Sequence, residues 1–254
     1  ALQLTRSILE PEFNKFPTVN LQNIFFASMV EYRKGFPSKI LFPKQYIDLP
    51  LGNIFSSANL RQLRISESEK FPHVTYFFNG GTNVKYIGED RILIQSPHVP
   101  TYDLQPQMSA LKLTEVLTSR IRENIYDFIV VNFANPDMVA HSGNIQATIK
   151  AVSTVDYCVN KLVKEFTAKG GVTVITSDHG NAEELINLDT NEMDTEHSYN
   201  PVPIMITGLK TSNTKLKYGS LKDVAPTILS IMGMSIPAEM NGKPLLSPSL
   251  TQSL

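Results

Sequence analysis

The sequence predicts an α/β protein with a mostly parallel sheet and helices on both faces. Three observations lead there. Short apolar runs rich in β-branched residues recur at 62–65, 91–94, 125–133, 171–176 and 202–207, as buried strands do. Between them lie stretches with apolar residues at three- and four-residue spacing, at 108–121 and 145–166, the mark of amphipathic helices. Strand and helix alternating at this spacing imply right-handed crossovers.

At 254 residues and 42% apolar content the chain can bury a sizeable core, as one large domain or one domain plus part of another. The formal charge of -1, with acids and bases interspersed, offers no basic field to a nucleic acid backbone, and no apolar stretch approaches the roughly 20 residues of a membrane helix. Nucleic acid and membrane are therefore not expected as partners. The one cysteine, Cys158, excludes a disulfide framework, reads as a small core residue and suits a reducing cytoplasm.

The chain opens at Ala1 without methionine, signal pattern or N-cap residue, yet 1–9 is already helix-like, which reads as the tail of a helix that starts earlier. Residues 23–30 read as a strand. Phe36-Pro37, Phe42-Pro43 and Leu49-Pro50 punctuate a loop-rich passage over 33–52, the expected domain crossover. Asn53 is the expected N-cap of a short helix running to Leu60, and Ser68 opens a segment carrying Lys70 and His73 towards Phe78. The long helix over 145–166 is expected to turn Ile149, Val152, Val155, Val159, Leu162 and Val163 to one side, and Lys169-Gly170-Gly171 stops it. Val202 to Thr207 is a further strand and Val224 to Met232 a last short helix. No internal repeat or low-complexity segment occurs.

Chemistry is expected where apolar strands end in acid and histidine. Ser177-Asp178-His179-Gly180-Asn181 follows the strand over 171–176, at the carboxyl edge where open α/β sheets place their sites. Asp137 and His141, just beyond the strand over 125–133, are four apart, so a helical turn sends both side chains out on one face. Glu196-His197 precedes the strand over 202–207. Neighbouring strand ends converge, so three of the five histidines and two aspartates gather at one sheet edge. Mixed carboxylate and imidazole without thiolate suits Mn²⁺ or Zn²⁺ in pairs rather than a structural zinc. His73 and His98 lack an acid at ligand spacing and read as satisfied structural histidines. Glu183-Glu184 reads as the acidic first turn of a helix, or as an acceptor for the imidazoles. Asn135 and Asn181, each near a candidate ligand, are positioned to orient it, and Asn79-Gly80-Gly81 reads as a turn near the site rather than a phosphate cradle.

The stretches 132–141, 176–183, 197–203, 63–75 and 78–81 resemble the cofactor-independent phosphoglycerate mutases of the alkaline phosphatase superfamily, and the resemblance runs over nearly the whole chain. It implies an alkaline-phosphatase-like fold and the interconversion of 3-phosphoglycerate and 2-phosphoglycerate in glycolysis, through a phosphoserine and without bisphosphoglycerate. It implies Asp137, His141 and His197 as ligands of one Mn²⁺ or other divalent ion, and Asp178 and His179 as two of the four ligands of a second. Lys70 is implied as the catalytic, substrate-binding lysine that neutralises charge on the phosphoryl oxygens. A monomer in the cytoplasm is implied as well.

The family's first strand with its aspartate, its nucleophilic Asn-Ser-Glu segment and its substrate arginines have no counterpart here, and Ser142, Ser177 and Ser198 stand outside the nucleophile's context. The chain is thus expected to be the carboxyl-terminal half of such an enzyme, inactive alone. Residues 1–45 would end the transferase domain and 46–254 would form most of the phosphatase domain. Two alternatives stay open: another phosphatase-superfamily enzyme such as a phosphopentomutase, and a non-catalytic metal-binding module.

Overall fold

The computed structural model describes residues 2–19, 21–209 and 215–246, which fall into two compact units, Ala1–Ile47 and Asp48–Leu254. In the first unit, helix α1 (Leu2–Leu9) is followed by β1 (Ala27–Ser28), parallel to β2 (Lys39–Ile40). Glu10 ties this unit together, accepting from Arg6 Nε at 2.7 Å and Arg33 Nη1 at 2.6 Å. The strand expected over 23–30 shrinks to two residues. Asn23 adopts a left-handed φ of 58°, which breaks the extended run at its start, and the partner strand is only two residues long.

The second unit is built on β3 (Gln62–Glu67), all six of whose residues are buried. Parallel neighbours β4 (Glu89–Ile94) and β5 (Phe128–Asn132) flank it in the order β4-β3-β5. Alternation along β3 sends Leu63 and Ile65 to one face, against Leu113, Leu117 and Ile121 of α3 (Ala110–Glu123) and Leu162 of α5 (Ile145–Thr167). Gln62 and Arg64 leave on the other face. There Gln62 Nε2 donates to the Gly52 carbonyl of α2 (Leu51–Ser57) at 2.8 Å, and the Arg64 guanidinium lies 4.3 Å from the Phe78 ring centre. Phe55 of α2, Phe128 of β5 and Leu229 of α6 (Val224–Ile231) pack together in one cluster. Helices therefore cover both faces.

Three differences from the sequence reading have physical causes. Helix α2 starts at Leu51, directly after Pro50, whose φ of -67° already suits a helix. Asn53 lies inside the helix, its Nδ2 donating to the Asp48 carbonyl. The buried side of α5 is made of Ala147, Thr148, Ala151, Cys158 and Leu162, while Ile149 and Val152 are exposed. Small residues let α4 (Asn135–Ala140) and its cluster of Ala134 and Val139 approach closely, so side-chain size misled the periodicity. Asn144 caps α5, accepting from the Ala147 N–H at 3.1 Å.

The third difference concerns β6 (Thr173–Thr176), expected as the next strand of the sheet. It pairs instead with β7 (Ile204–Thr207), antiparallel and in a separate two-stranded sheet. No helix lies between them, and a parallel return needs such a crossover. Of the four strand pairings among the described residues, the other three are parallel. No helix among these residues is long and apolar enough to cross a membrane.

Glu67, at the carboxyl end of β3, is fully buried with Oε2 unpartnered. Burial pushes its carboxyl up to about 7, against the opposing pull of the Ser109 N–H. A carboxyl raised on folding contributes stability that is present below its unfolded value near 4.3 and lost as pH rises through about 7. Glu67→Gln, which cannot ionise, is therefore expected to gain stability relative to wild type between pH 5 and about 8, with the two converging near pH 4. Urea denaturation at the two pH extremes measures the difference.

Candidate metal centre

Chain direction after β5 builds half of the site. Asn135 and Pro136 start α4, placing Asp137 in its first turn, where the helix dipole favours a carboxylate. His141 follows at the carboxyl end of the same face. The opposite side of α4 is anchored by Val139 and Ala140, both fully buried, so the two polar side chains project from a fixed helix. Asn135 does not orient a candidate ligand; its Nδ2 donates to the Pro106 carbonyl at 2.9 Å and fastens the helix start.

The other half comes from residues 177–200, which leave β6 and return to β7. Within this excursion Ile186 and Met193 form an antiparallel bridge, and Asp194 N–H donates to the Leu185 carbonyl at 3.0 Å. The excursion's two feet meet where Ser198 N–H donates to the Gly180 carbonyl at 2.9 Å. A Cβ at Gly180 would meet Ser198 Oγ and Glu183 Oε1, so a larger residue there would push those two side chains aside. His197 is thereby delivered to Asp137, 60 residues earlier in the chain.

Asp137, His141 and His197 present ligand atoms that all lie within 4.8 Å of one another. Asp137 Oδ1 is 3.1 Å from Nε2 of both His141 and His197, and the two Nε2 atoms are 3.3 Å apart. His141 Nδ1 lies 2.7 Å from the Thr195 carbonyl oxygen; this assigns its proton to Nδ1 and turns the Nε2 lone pair towards the cluster. Converging lone pairs from one carboxylate and two imidazoles fit a divalent ion of the Mn²⁺, Co²⁺ or Zn²⁺ type, which would also relieve their crowding.

Around the triad, the Lys70 ammonium is ion-paired with Asp137 Oδ2, and Asn181 Nδ2 donates to Asp137 Oδ1 at 2.8 Å. Burial alone would push the Asp137 carboxyl up, but hydrogen bonds from Lys70 and Asn181 and the Lys70 charge hold it down at about 2. Lys70 is itself buried, on a 3₁₀ turn (Ser68–Lys70) that leads into a π-helical turn (His73–Phe77). His179 is stacked on His197 at 3.7 Å between ring centres, and His179 Nε2 is 3.7 Å from Asp178 Oδ2. Asp178 and His179 thus border the triad without joining it.

Other expected residues fall differently. Glu183-Glu184 starts no helix; it lies in a turn, where Glu183 accepts from the Asn181 N–H at 2.8 Å and from Ser198 and Asn200. These donors hold its carboxyl at about 2, outweighing burial. His73 is not satisfied: its Nδ1 is buried without a hydrogen-bond partner. Burial, then the Lys70 charge, lowers its pKa, while Asp178 and Asp137 pull the other way, so it belongs to the electrostatic surroundings of the site. No spacing in the sequence links His73 to Asp137, because a turn of irregular helix makes the connection. His98 is exposed, and Asn79 is buried, with Gly80 and Gly81 at φ of 69° and 77° completing a turn.

A parallel-sheet fold carrying a carboxylate and imidazole cluster at its strand ends defines an α/β metalloenzyme. Residues 18–236 match the model of the metalloenzyme superfamily, and the chain belongs to that superfamily. It is 45% identical over 248 residues to a 2,3-bisphosphoglycerate-independent phosphoglycerate mutase of Thiobacillus denitrificans, covering 97% of this chain and 48% of that protein. A protein of the same name, numbered 2, from Methanosarcina barkeri is also 45% identical, over 246 residues covering 97% and 47%. Among solved structures, a Leishmania mexicana phosphoglycerate mutase at low cobalt concentration matches with a TM-score of 0.78 and 27% identity over 97% of this chain and 48% of that one. The chain spans about half the length of these relatives.

Removing Lys70's charge by Lys70→Met is expected to raise the Asp137 pKa from about 2 towards the ordinary value near 3.9, and Asn181→Ala to raise it by less. Carboxylate ¹³C shifts followed against pH in the metal-free protein give both values.

Proposed function

We propose that this chain forms the metal-binding part of a 2,3-bisphosphoglycerate-independent phosphoglycerate mutase, interconverting 3-phosphoglycerate and 2-phosphoglycerate in glycolysis. The observation that carries the reading is the convergence of Asp137, His141 and His197 beside the buried Lys70, in a chain 45% identical to proteins of that name. In this reading Asp137, His141 and His197 hold one Mn²⁺, and Asp178 and His179 contribute to a second. Residues 46–254 are most of the phosphatase-like domain, and 1–45 are the end of a substrate-binding domain. The working enzyme is a cytoplasmic monomer needing no bisphosphoglycerate.

A divalent ion held there supplies Lewis acidity, lowering the pKa of a bound hydroxyl and withdrawing charge from phosphoryl oxygens. The chain's own residues do the rest. Lys70, itself buried, fixes one positive charge beside the triad, where it would attract a phosphoryl group in flight. Asn181 and Lys70 occupy opposite oxygens of Asp137 and hold the carboxylate in one orientation.

Phosphoryl transfer through a serine forms a bond from Oγ to phosphorus and breaks the bond from phosphorus to the glycerate oxygen. The glycerate then turns, and its other hydroxyl takes the group back. Ser142, Ser177 and Ser198 each donate to a protein acceptor, respectively the Val139 carbonyl, the His179 carbonyl and Glu183, so none is assigned the nucleophile's role. That serine is proposed to lie in the part of the relatives that this chain does not span.

Purified full-length protein is expected to convert 3-phosphoglycerate without added bisphosphoglycerate, to lose activity in a chelator and to regain it with Mn²⁺. Full activity after thorough metal removal would overturn the proposal. The 254-residue chain alone is expected to show no turnover above background. His141→Ala or His197→Ala in the full-length enzyme is expected to weaken Mn²⁺ binding by at least about a hundredfold, since each removes a direct ligand where an outer partner costs 10–100-fold. Isothermal titration with Mn²⁺ measures the loss.

A further inference from the structure

Glu183 occupies a position that no ligand assignment explains. Its side chain is exposed, yet it makes three hydrogen bonds that converge from both feet of the excursion between β6 and β7. Oε2 accepts from the Asn181 backbone N–H at 2.8 Å, on the foot that follows His179. Oε1 accepts from Ser198 Oγ and from Asn200 Nδ2, on the foot that follows His197. Two charge-assisted bonds to one foot and one to the other make the carboxylate a clamp across them. Beyond the clamp, Asn181 sends Nδ2 to Asp137 Oδ1 at 2.8 Å, the oxygen that faces both imidazoles.

We propose that Glu183 is a positioning residue that sets the triad's geometry: it fixes Asn181, and through it Asp137 Oδ1, and it fixes Ser198, and through it His197. The inference rests on the reading that the triad holds a divalent ion. Without the clamp, the two feet would still be joined by the Gly180–Ser198 backbone bridge and by Asn200 Nδ2 donating to Glu184 Oε2 at 2.7 Å, but Asn181 and Ser198 would lose the acceptor that fixes them, and the imidazole of His197 would sample positions away from Asp137. Such a loss acts on ion affinity more than on folding, because an exposed carboxylate buries little apolar surface.

The test is Mn²⁺ binding by the chain, followed by electron paramagnetic resonance of the free ion, alongside thermal melting. Glu183→Ala and the isosteric Glu183→Gln are both expected to weaken Mn²⁺ by about 10–100-fold, the range for residues that orient a ligand, with the melting temperature within about 3 °C of wild type. The amide replaces the carboxylate only in part: with its oxygen on the Asn181 N–H, its NH₂ can donate to the Ser198 hydroxyl but cannot accept from Asn200 Nδ2, and the charge that strengthens all three bonds is gone. Ser198→Ala, which removes one contact of the three, is expected to fall between. Affinity unchanged in Glu183→Ala, with wild type binding normally, would overturn the clamp alone. Wild type that binds no Mn²⁺ would overturn the triad and the clamp together. A loss seen in Glu183→Ala but fully restored in Glu183→Gln would show that side-chain bulk, not the carboxylate, matters, and would also overturn it.

Discussion

The site depends on one carboxylate having both of its oxygens claimed from opposite directions. Asp137 gives Oδ2 to the Lys70 ammonium and Oδ1 to Asn181, with the two imidazole Nε2 atoms at 3.1 Å from that same Oδ1. A carboxylate this far from bulk water would tend to take up a proton, and the surrounding donors prevent it. Everything else positions those donors. Strand β3 is buried over its whole length and aims the Lys70 turn, helix α4 is packed through Val139 and Ala140, and the excursion after β6 returns His197 and Asn181 to the same place.

The charge balance follows from this arrangement. Lys70 and Asp137 together are neutral, so that pair adds little net field to the preformed geometry the triad offers an incoming ion. Affinity must then come from directed lone pairs, and directed lone pairs need outer partners. The His141 ring is oriented by the Thr195 carbonyl, and Asp137 by Lys70 and Asn181.

Much of this was legible in the sequence, for identifiable reasons. The strands over 62–65, 91–94 and 125–133, the last observed as Phe128–Asn132, could be read because burial makes them apolar runs, and the helices α3 and α5 because burial puts a period on their apolar residues. The pairing of Asp137 with His141 followed from helical spacing, and the structure brings His197 to both. Contacts set by loops were not legible. Glu183 meets Ser198 across 15 residues and Asn181 meets Asp137 across 44, and no periodicity encodes either. The buried face of α5 was misjudged because close packing there selects Ala147 and Ala151 over the larger Ile149 and Val152. The antiparallel β6–β7 pair was misjudged because the segment between them holds no crossover helix.

The central claim is that Asp137 Oδ1, His141 Nε2 and His197 Nε2 together bind one divalent cation. Crystals of the chain grown with Mn²⁺ and measured at the manganese absorption edge test it most directly. The account predicts an anomalous peak bonded to those three atoms at about 2.0–2.2 Å, the range for nitrogen and oxygen ligands of such ions. An anomalous map with no peak between them, or with the ion bound elsewhere and Lys70 still on Asp137, would contradict it.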